Sequence, residues 1–168
     1  MIKKIALIIL ILIIGYLFYC PIIVQLANME SPKTINFQPS QTFMLKDILK
    51  LKNTQNVTIY VVLNNEERKH FSSQVPKWNV LKSNDSALIK DLLNCKFKYT
   101  GSDVSTLQSS IYIYSENNLV FESEISLETN NPGLQNSYTG WVSPIDNNRF
   151  LNIISKCNRY NLPLLILK

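Results

Sequence analysis

Apolar residues are concentrated at the start of the chain. From Ile5 to Val24 there is no charged residue, and Ile and Leu make up most of the run. A helix of about twenty residues rises about 30 Å, which equals the thickness of the hydrocarbon core of a bilayer. The pattern predicts one N-terminal transmembrane helix within residues 1–27, followed by a stem over residues 28–39 and a domain over residues 40–168.

Basic residues flank this run on one side only. Lys3 and Lys4 precede it, and the next basic residue is Lys33. Because positively charged flanks stay in the cytoplasm, the asymmetry predicts a single-pass protein with a cytoplasmic N-terminus. The domain is then expected outside the cytoplasm, in the periplasm at a bacterial inner membrane.

Two cleaved alternatives compete with this uncleaved signal-anchor. A cleaved signal peptide has an apolar stretch of about 7–15 residues followed by small residues before the cleavage site. Here the apolar run is longer, and at the candidate site Gln25-Leu26-Ala27 the residue two places before Ala27 is not small. A lipoprotein signal needs a small residue before its cysteine, but Tyr19 precedes Cys20. The sequence favours the anchor, and a secreted protein whose signal peptide is removed is the main alternative.

Three segments of the domain repeat apolar residues with the spacing of a helix. The first helix is predicted to begin at Ser40, the second at Ser83 or Asp85, and the third at Ser143-Pro144. Their apolar positions are Phe43, Met44, Ile48 and Leu51, then Leu88, Ile89, Leu92 and Leu93, and finally Phe150, Ile153, Ile154 and Cys157.

Other segments have the composition of strands. Residues 57–63 are β-branched and nearly all apolar, which is typical of a central strand covered on both faces. Residues 111–114 and 119–127 flank an Asn-rich turn and predict a hairpin. Short strands are also expected at 95–99 and 164–167. The irregular alternation predicts an α+β fold with a small mixed or antiparallel sheet, a central hairpin and helices packed on one face.

The second strand of the hairpin alternates apolar and polar residues. Its apolar face is predicted to contain Leu119, Phe121, Ile125 and Leu127, and its polar face, expected in water, contains Glu122 and Glu124. These carboxylates lie about 6.5–7 Å apart along a strand, a separation within the range of inverting glycoside hydrolases. A glycan-directed hydrolase that uses this pair is the enzymatic alternative, although a half-exposed strand needs polar residues in any case.

Aromatic residues supply the remaining candidates for a binding surface. Depending on the register, Tyr112 and Tyr114 lie opposite the polar face of the hairpin, and Trp78 and Trp141 lie in or beside loop-like segments. Tyr and Trp anchor many protein contacts. The predicted binding residues are therefore Tyr112, Tyr114, Glu122, Glu124, Trp78 and Trp141. The competing interpretation is that the rings fill the core.

Two cysteines belong to the domain. In an oxidising compartment a pair of thiols is more often a disulfide than a reactive site, which makes Cys95 and Cys157 a candidate disulfide. The alternative is two separately buried thiols.

Charge and motifs argue against several functions. Of 17 Lys and Arg, two precede the apolar run, and the other 15 are scattered among 12 Asp and Glu, so no basic face for nucleic acid is predicted. The single histidine, His70, lies in a charged segment, and there is neither a Gly-x-Ser-x-Gly motif nor a Cys-x-x-Cys pair. No catalytic residue, metal or small-molecule cofactor is predicted.

The anchor and the lack of catalytic motifs together predict a non-enzymatic protein-binding module of the cell envelope. Two forms of this function fit equally. One is an immunity or inhibitor protein that neutralises an envelope-acting toxin, since a tether raises the effective concentration of a small blocker. The other is a small subunit of an envelope assembly.

Overall fold

The apolar run at the start of the chain forms two elements instead of one. Helix α1 spans Ile2–Tyr19 and strand β1 spans Ile22–Gln25. Pro21 stands between them, and proline cannot continue a helix because it lacks the backbone N–H and its ring clashes with the preceding turn. The expectation of one helix through residues 5–24 is therefore wrong over its last residues.

The computed structural model describes residues 2–26, 38, 40–49, 51, 56–101, 107–137 and 139–167. The predicted stem lies almost wholly outside these residues. Within the described helices, none combines the length and the apolar character that crossing a membrane requires.

Nine strands form one sheet in the described part of the chain, and every pairing within it is antiparallel. The strands are β2 Thr42–Met44, β3 Val57–Val62, β4 Val80–Ser83, β5 Lys96–Tyr99, β6 Ser110–Ser115, β7 Asn118–Ser126, β8 Gly133–Asn136, β9 Gly140–Pro144 and β10 Asn158–Arg159. Their order across the sheet is β10-β4-β3-β6-β7-β8-β9-β5-β2. The α+β class is confirmed, and the sheet is larger than expected.

Three short helices follow α1 in the residues that the structure describes. They are α2 Leu45–Leu49, α3 Ser86–Leu93 and α4 Asn147–Ser155, and a turn of 3₁₀ helix covers Glu67–Lys69. Asp85 caps α3 as expected, because its Oδ1 accepts hydrogen bonds from the backbone N–H groups of Ala87 (2.8 Å) and Leu88 (3.3 Å).

The other two predicted helix starts are wrong. Ser143 and Pro144 belong to β9, and Asp146 caps α4 by accepting a hydrogen bond from the backbone N–H of Arg149 at 2.9 Å. Strand β2 separates Ser40 from α2. In both cases a short strand occupies the residues before the helix, so the cap lies closer to the first helical turn than the sequence indicated.

One face of the sheet packs against α3 and α4 to form the main core. Strand β3 contributes Val57, Ile59 and Val61 to this core, as its composition predicted. The ring of Phe97 on β5 contacts the ring of Phe150 on α4 edge to face, with centroids 5.6 Å apart. This is the predicted arrangement of helices on one face.

The opposite face is covered by a second, two-stranded sheet. Strand β11, Leu164–Leu167, pairs in parallel with β1, and the pair is called the ribbon below. Leu165 and Leu167 of the ribbon pack in a smaller core with Tyr112, Tyr114 and Tyr160. The polar face expected to be wet is thus partly closed by the two strands.

The hairpin of β6 and β7 contains an irregularity that the sequence pattern did not indicate. Its register shifts between Ile113 and Tyr114. As a result Leu119 packs against the smaller core, whereas Phe121 lies in the main core and Val120 packs against it. A β-bulge moves the side chains beyond it to the other face, so the expectation that Leu119 shares a face with Phe121 is wrong.

Candidate functional site

Strand pairing brings most of the predicted binding residues to the face opposite α3 and α4. Tyr112 on β6 pairs with Glu122 on β7. Glu124 pairs with Gln135, which in turn pairs with Trp141 on β9. Since alternate residues of a strand share a face, five of the six candidates lie on this side: Tyr112, Tyr114, Glu122, Glu124 and Trp141.

The rings among these candidates are buried. Tyr112 and Tyr114 lie beneath the ribbon. Trp141 packs closely over Gly133 and donates a hydrogen bond from Nε1 to Oγ of Ser143 at 3.0 Å. These three rings fill the interior, which is the competing interpretation from the sequence, and they are not exposed anchors.

Both carboxylates on this face accept hydrogen bonds from the same chain. Gln25 of β1 donates from Nε2 to Oε1 of Glu122 at 2.8 Å. The backbone N–H of Leu107 donates to Oε2 of Glu124 at 3.3 Å. Glu122 therefore holds the ribbon on the sheet, and Glu124 holds the segment that enters β6. The two residues share a face as predicted, and each already has a structural role.

A cluster of tyrosines surrounds Tyr60 of β3, which the sequence reading did not single out. The Tyr60 ring contacts the rings of Tyr114 and Tyr160 edge to face, with centroids 5.9 and 6.0 Å away. Nζ of Lys82 lies 5.6 Å from the Tyr60 centroid. Burial raises the pKa of Tyr112 and of Tyr160, so both phenols stay neutral at ordinary pH.

An open cleft of about 830 Å³ adjoins these tyrosines. Four segments meet there: the start of β3, the residue that follows β4, the end of β6 with the turn that leads to β7, and β11. The lining residues are Asn56, Val57, Thr58, Tyr60, Asn84, Tyr114, Glu116, Asn117 and Ile166. Amide, hydroxyl and carboxylate groups dominate this set, so the cleft offers both hydrogen-bond donors and acceptors beside two aromatic rings. Of the predicted binding residues, only Tyr114 is part of this lining.

The hairpin turn gives the cleft a shaped wall. Glu116 and Asn117 have φ of 52° and 68°, the two left-handed residues of a tight two-residue turn. This conformation projects both side chains away from the sheet, where they are exposed. The sequence pattern predicts the turn but not the cleft, because the cleft is formed by segments that are distant along the chain.

Trp78, the sixth candidate, lies away from this face, at the end of α1. The guanidinium of Arg159 stacks 4.3 Å from the Trp78 ring centroid and 5.5 Å from that of Tyr19. The rings of Tyr19 and Trp78 meet edge to face with centroids 5.9 Å apart. Nη2 of Arg159 also donates to the carbonyl oxygen of Phe18 at 2.6 Å. Tyr19, Trp78 and Arg159 are called the junction cluster below.

A polar chain supports the junction cluster from the domain side. Nδ2 of Asn79 donates to Sγ of Cys20, and Oδ1 of Asn79 accepts a hydrogen bond from Nη2 of Arg68. Nη1 of Arg68 donates to the carbonyl oxygen of Lys77 at 2.8 Å. The end of α1 is thus fixed to the domain through ring contacts and hydrogen bonds.

The two cysteines of the domain are separately buried thiols, which is the alternative to the predicted disulfide. Cys95 and Cys157 are free and buried in the main core, not bridged. Burial raises the pKa of Cys95 to about 11 and that of Cys157 to about 12. Each thiol behaves as a small apolar group that packs after the end of its helix.

The described residues contain no group of three or more His, Cys, Asp and Glu side chains that could hold a metal ion. His70 is exposed at the end of the 3₁₀ turn. The chain matches no protein-family model, no curated protein and no solved structure with which it was compared.

Proposed function

We propose that this chain is a non-enzymatic protein-binding module held at the outer face of a bacterial inner membrane by its uncleaved N-terminal segment. Its partner is a protein of the cell envelope, either a toxin that the module neutralises or another subunit of an envelope assembly. The cleft beside Tyr60 and Tyr114 is the surface proposed to receive that partner.

The observation that carries the proposal is the integration of β1 into the fold. Its four residues pair with β11, and Gln25 bonds to Glu122. Removal of a signal peptide at Ala27 would take β1 away, leave β11 without its partner and expose the buried tyrosines beneath the ribbon. The junction cluster adds contacts that also depend on α1 staying attached. A discarded leader would make none of these contacts in the mature protein.

The exposed apolar surface of α1 supports the proposal that this helix lies in a membrane. Every residue from Lys4 to Tyr16 is exposed, and the exposed fraction of Leu12 reaches 66%. The free energy of a helix that is apolar on all sides is lower in lipid than in water. The charge-free part of the helix, from Ile5 to Tyr19, covers only about 22 Å at 1.5 Å per residue. Lys4 can extend its charged end to the headgroups, and a bilayer can thin locally around a short helix.

The tether also explains how a modest surface can be sufficient for binding. Confinement to the membrane replaces diffusion in three dimensions and raises the effective concentration of the module for a partner in the same envelope. The polar cleft then supplies specificity, because its hydrogen-bonding groups are left unpaired when the wrong partner binds.

Retention of the N-terminal segment is tested by expressing the full chain with a C-terminal reporter that is active only outside the cytoplasm. We expect an active reporter, resistance of the protein to alkaline extraction from membranes, and an intact mass that includes α1. A mass that lacks the first two dozen residues, or a reporter that is silent, would overturn the proposal.

Binding through the cleft is tested with a photo-crosslinking residue placed at Asn117 in cells that make the protein naturally. A matched control carries the same residue at Asp91, which is exposed on α3 at the other side of the sheet. We expect a discrete adduct from position 117 only, and we expect Asn84→Arg to abolish it by filling the cleft. Adducts of equal yield from both positions would contradict the assignment.

The same assay separates binding from catalysis. Glu122→Gln with Glu124→Gln keeps the accepting oxygens that Gln25 and Leu107 use, so the fold should persist. We expect the adduct from position 117 to remain. Loss of an activity toward glycans in this double variant would instead favour the hydrolase.

A further inference from the structure

The outward face of the ribbon consists of aliphatic side chains, and the described residues leave it partly exposed. Its register pairs Ile22 with Leu164 and Val24 with Ile166. These four side chains point away from the sheet, since Leu165 and Leu167 point toward it, and they are 51%, 43%, 36% and 45% exposed in that order. Parallel strands are normally covered on both sides, so the outward aliphatic face lacks its second layer.

The position of this face is set by α1. Ile22 follows the last residue of α1, Tyr19, by three positions. Three residues of chain reach at most about 10 Å. Wherever α1 leaves the lipid, the end of the ribbon formed by Ile22 and Leu164 must therefore be within that distance of the bilayer surface.

The junction cluster has the composition of a membrane interface. Trp and Tyr rings collect at the level of the headgroups because they are apolar with one polar edge, and an Arg guanidinium pairs with lipid phosphates. Trp78, Tyr19 and Arg159 are held together at the end of α1 by the contacts described above. Leu26 and Leu162, which are exposed beside the ribbon, extend the apolar surface.

We propose that the outward face of the ribbon docks on the bilayer that holds α1 through its end at Ile22 and Leu164, so that β11 forms a second membrane contact far along the chain from the anchor, while Ile166 at the other end borders the cleft. This inference rests on the proposed function, since it takes α1 to be in lipid. It also accounts for the shortness of the helix: the apolar run continues past Tyr19 as a strand that lies along the interface instead of crossing it.

A lipid surface fits this face better than a second copy of the chain. Four aliphatic side chains, each exposed over about half of its surface or less, present at most a few hundred Å², below the roughly 800 Å² per partner that a stable dimer buries. The exposed aliphatic residues of α1 end three positions before Ile22, so this face begins directly after the proposed anchor.

The test uses the full chain in vesicles of phosphatidylethanolamine and phosphatidylglycerol, with Cys20→Ser removing the accessible thiol. Leu164→Cys is labelled with a fluorophore, and quenching by lipids brominated on their acyl chains is measured. Leu12→Cys on α1 and Asp91→Cys on α3 serve as references for lipid and for water. Labelling at Leu164 should not disturb folding because the side chain is exposed.

We expect several-fold quenching at positions 164 and 12 and none at position 91. Strong quenching at position 12 with none at position 164 would overturn the docking while leaving the anchor intact. No quenching at position 12 would overturn the proposed function itself. A label at position 164 that is shielded from both brominated lipid and aqueous iodide would show that protein, such as a second copy, covers the face, and would also overturn the docking.

Discussion

Gln25 and Glu122 are joined by a hydrogen bond of 2.8 Å although 97 positions separate them in the chain. Oε1 of the same glutamine also accepts from the hydroxyl of Tyr112 at 3.4 Å. Gln25 is the one polar residue of β1, and a register slip by one position would turn it away from the sheet. The amide therefore fixes which face of the ribbon packs inward.

Gln25→Leu should destabilise the fold, because the substitution removes a donor to a carboxylate and an acceptor for Tyr112. We expect a loss of about 1 kcal/mol in the free energy of unfolding, measured by urea titration in detergent. Val24→Thr, on the outward face of the same strand, is the control and should change stability by less than half as much. Equal effects would show that the orientation of the ribbon does not depend on Gln25.

Arg159→Ala should loosen the attachment of α1 to the domain, because the cation–π contacts and the hydrogen bond to the Phe18 carbonyl are lost together. The expected result is a several-fold faster reaction of Cys20 with a water-soluble alkylating reagent. Arg159→Lys should give an alkylation rate between those of the unaltered protein and Arg159→Ala, since an ammonium keeps the charge but not the planar stacking. The control is Arg149→Ala, because the ion pair of Arg149 with Asp91 at 3.7 Å joins α4 to α3 and does not involve α1. A similar rate in all variants would contradict this role.

The buried thiols should make the fold sensitive to alkaline pH. The raised pKa values of Cys95 and Cys157, about 11 and about 12, mean that the folded state holds neutral thiols where the unfolded chain ionises near pH 9. Their contribution to stability is complete below pH 9 and is lost as the pH rises from 9 toward 12. The melting temperature should fall over this interval, measured by circular dichroism.

Replacing both cysteines by Ala should make this alkaline fall shallower but not remove it, since the pKa values of Tyr112 and Tyr160 are also raised by burial. An unchanged slope in the double variant would exclude the thiols as its source.

Gly133→Ala should be strongly destabilising. A Cβ at this position would lie 2.5 Å from Cζ2 of Trp141 and 2.7 Å from the carbonyl oxygen of Val142. We expect a loss of about 2–3 kcal/mol in thermal or urea unfolding. Adding Trp141→Phe, which removes the ring that carries Cζ2, should recover part of the loss. Gly15→Ala is the control, because its Cβ would meet no atom within 4 Å.

The elements that the sequence predicted well are those set by local pattern. Strand β3 follows from the β-branched run that begins at Val57, α3 from its four apolar positions and Asp85, and the hairpin from alternation around an Asn-rich turn. In each case the side chains that decide the structure are within a few positions of one another, so the repeat along the chain reflects one buried face.

What the sequence could not supply depends on distant contacts. Ile22 to Val24 have the same apolar composition in a lipid-embedded helix and in a parallel strand, and only β11, about 140 residues later, makes the strand possible. The face of Leu119 depends on a bulge, and Tyr60 lies beside Tyr114 in the cleft because β3 pairs with β6. The stacking of Arg159 on Trp78 likewise joins segments that no local pattern connects.

The parallel pairing of β1 with β11 has a consequence for biogenesis. Strand β1 leaves the ribosome early, but its partner is made about 140 residues later, so the tyrosine face stays open during most of synthesis. An interrupted chain that lacks residues 164–167 would leave β1 without its partner strand and the tyrosines uncovered. Such a product presents the apolar surface that proteases and chaperones recognise, so completion of the ribbon distinguishes finished molecules from fragments.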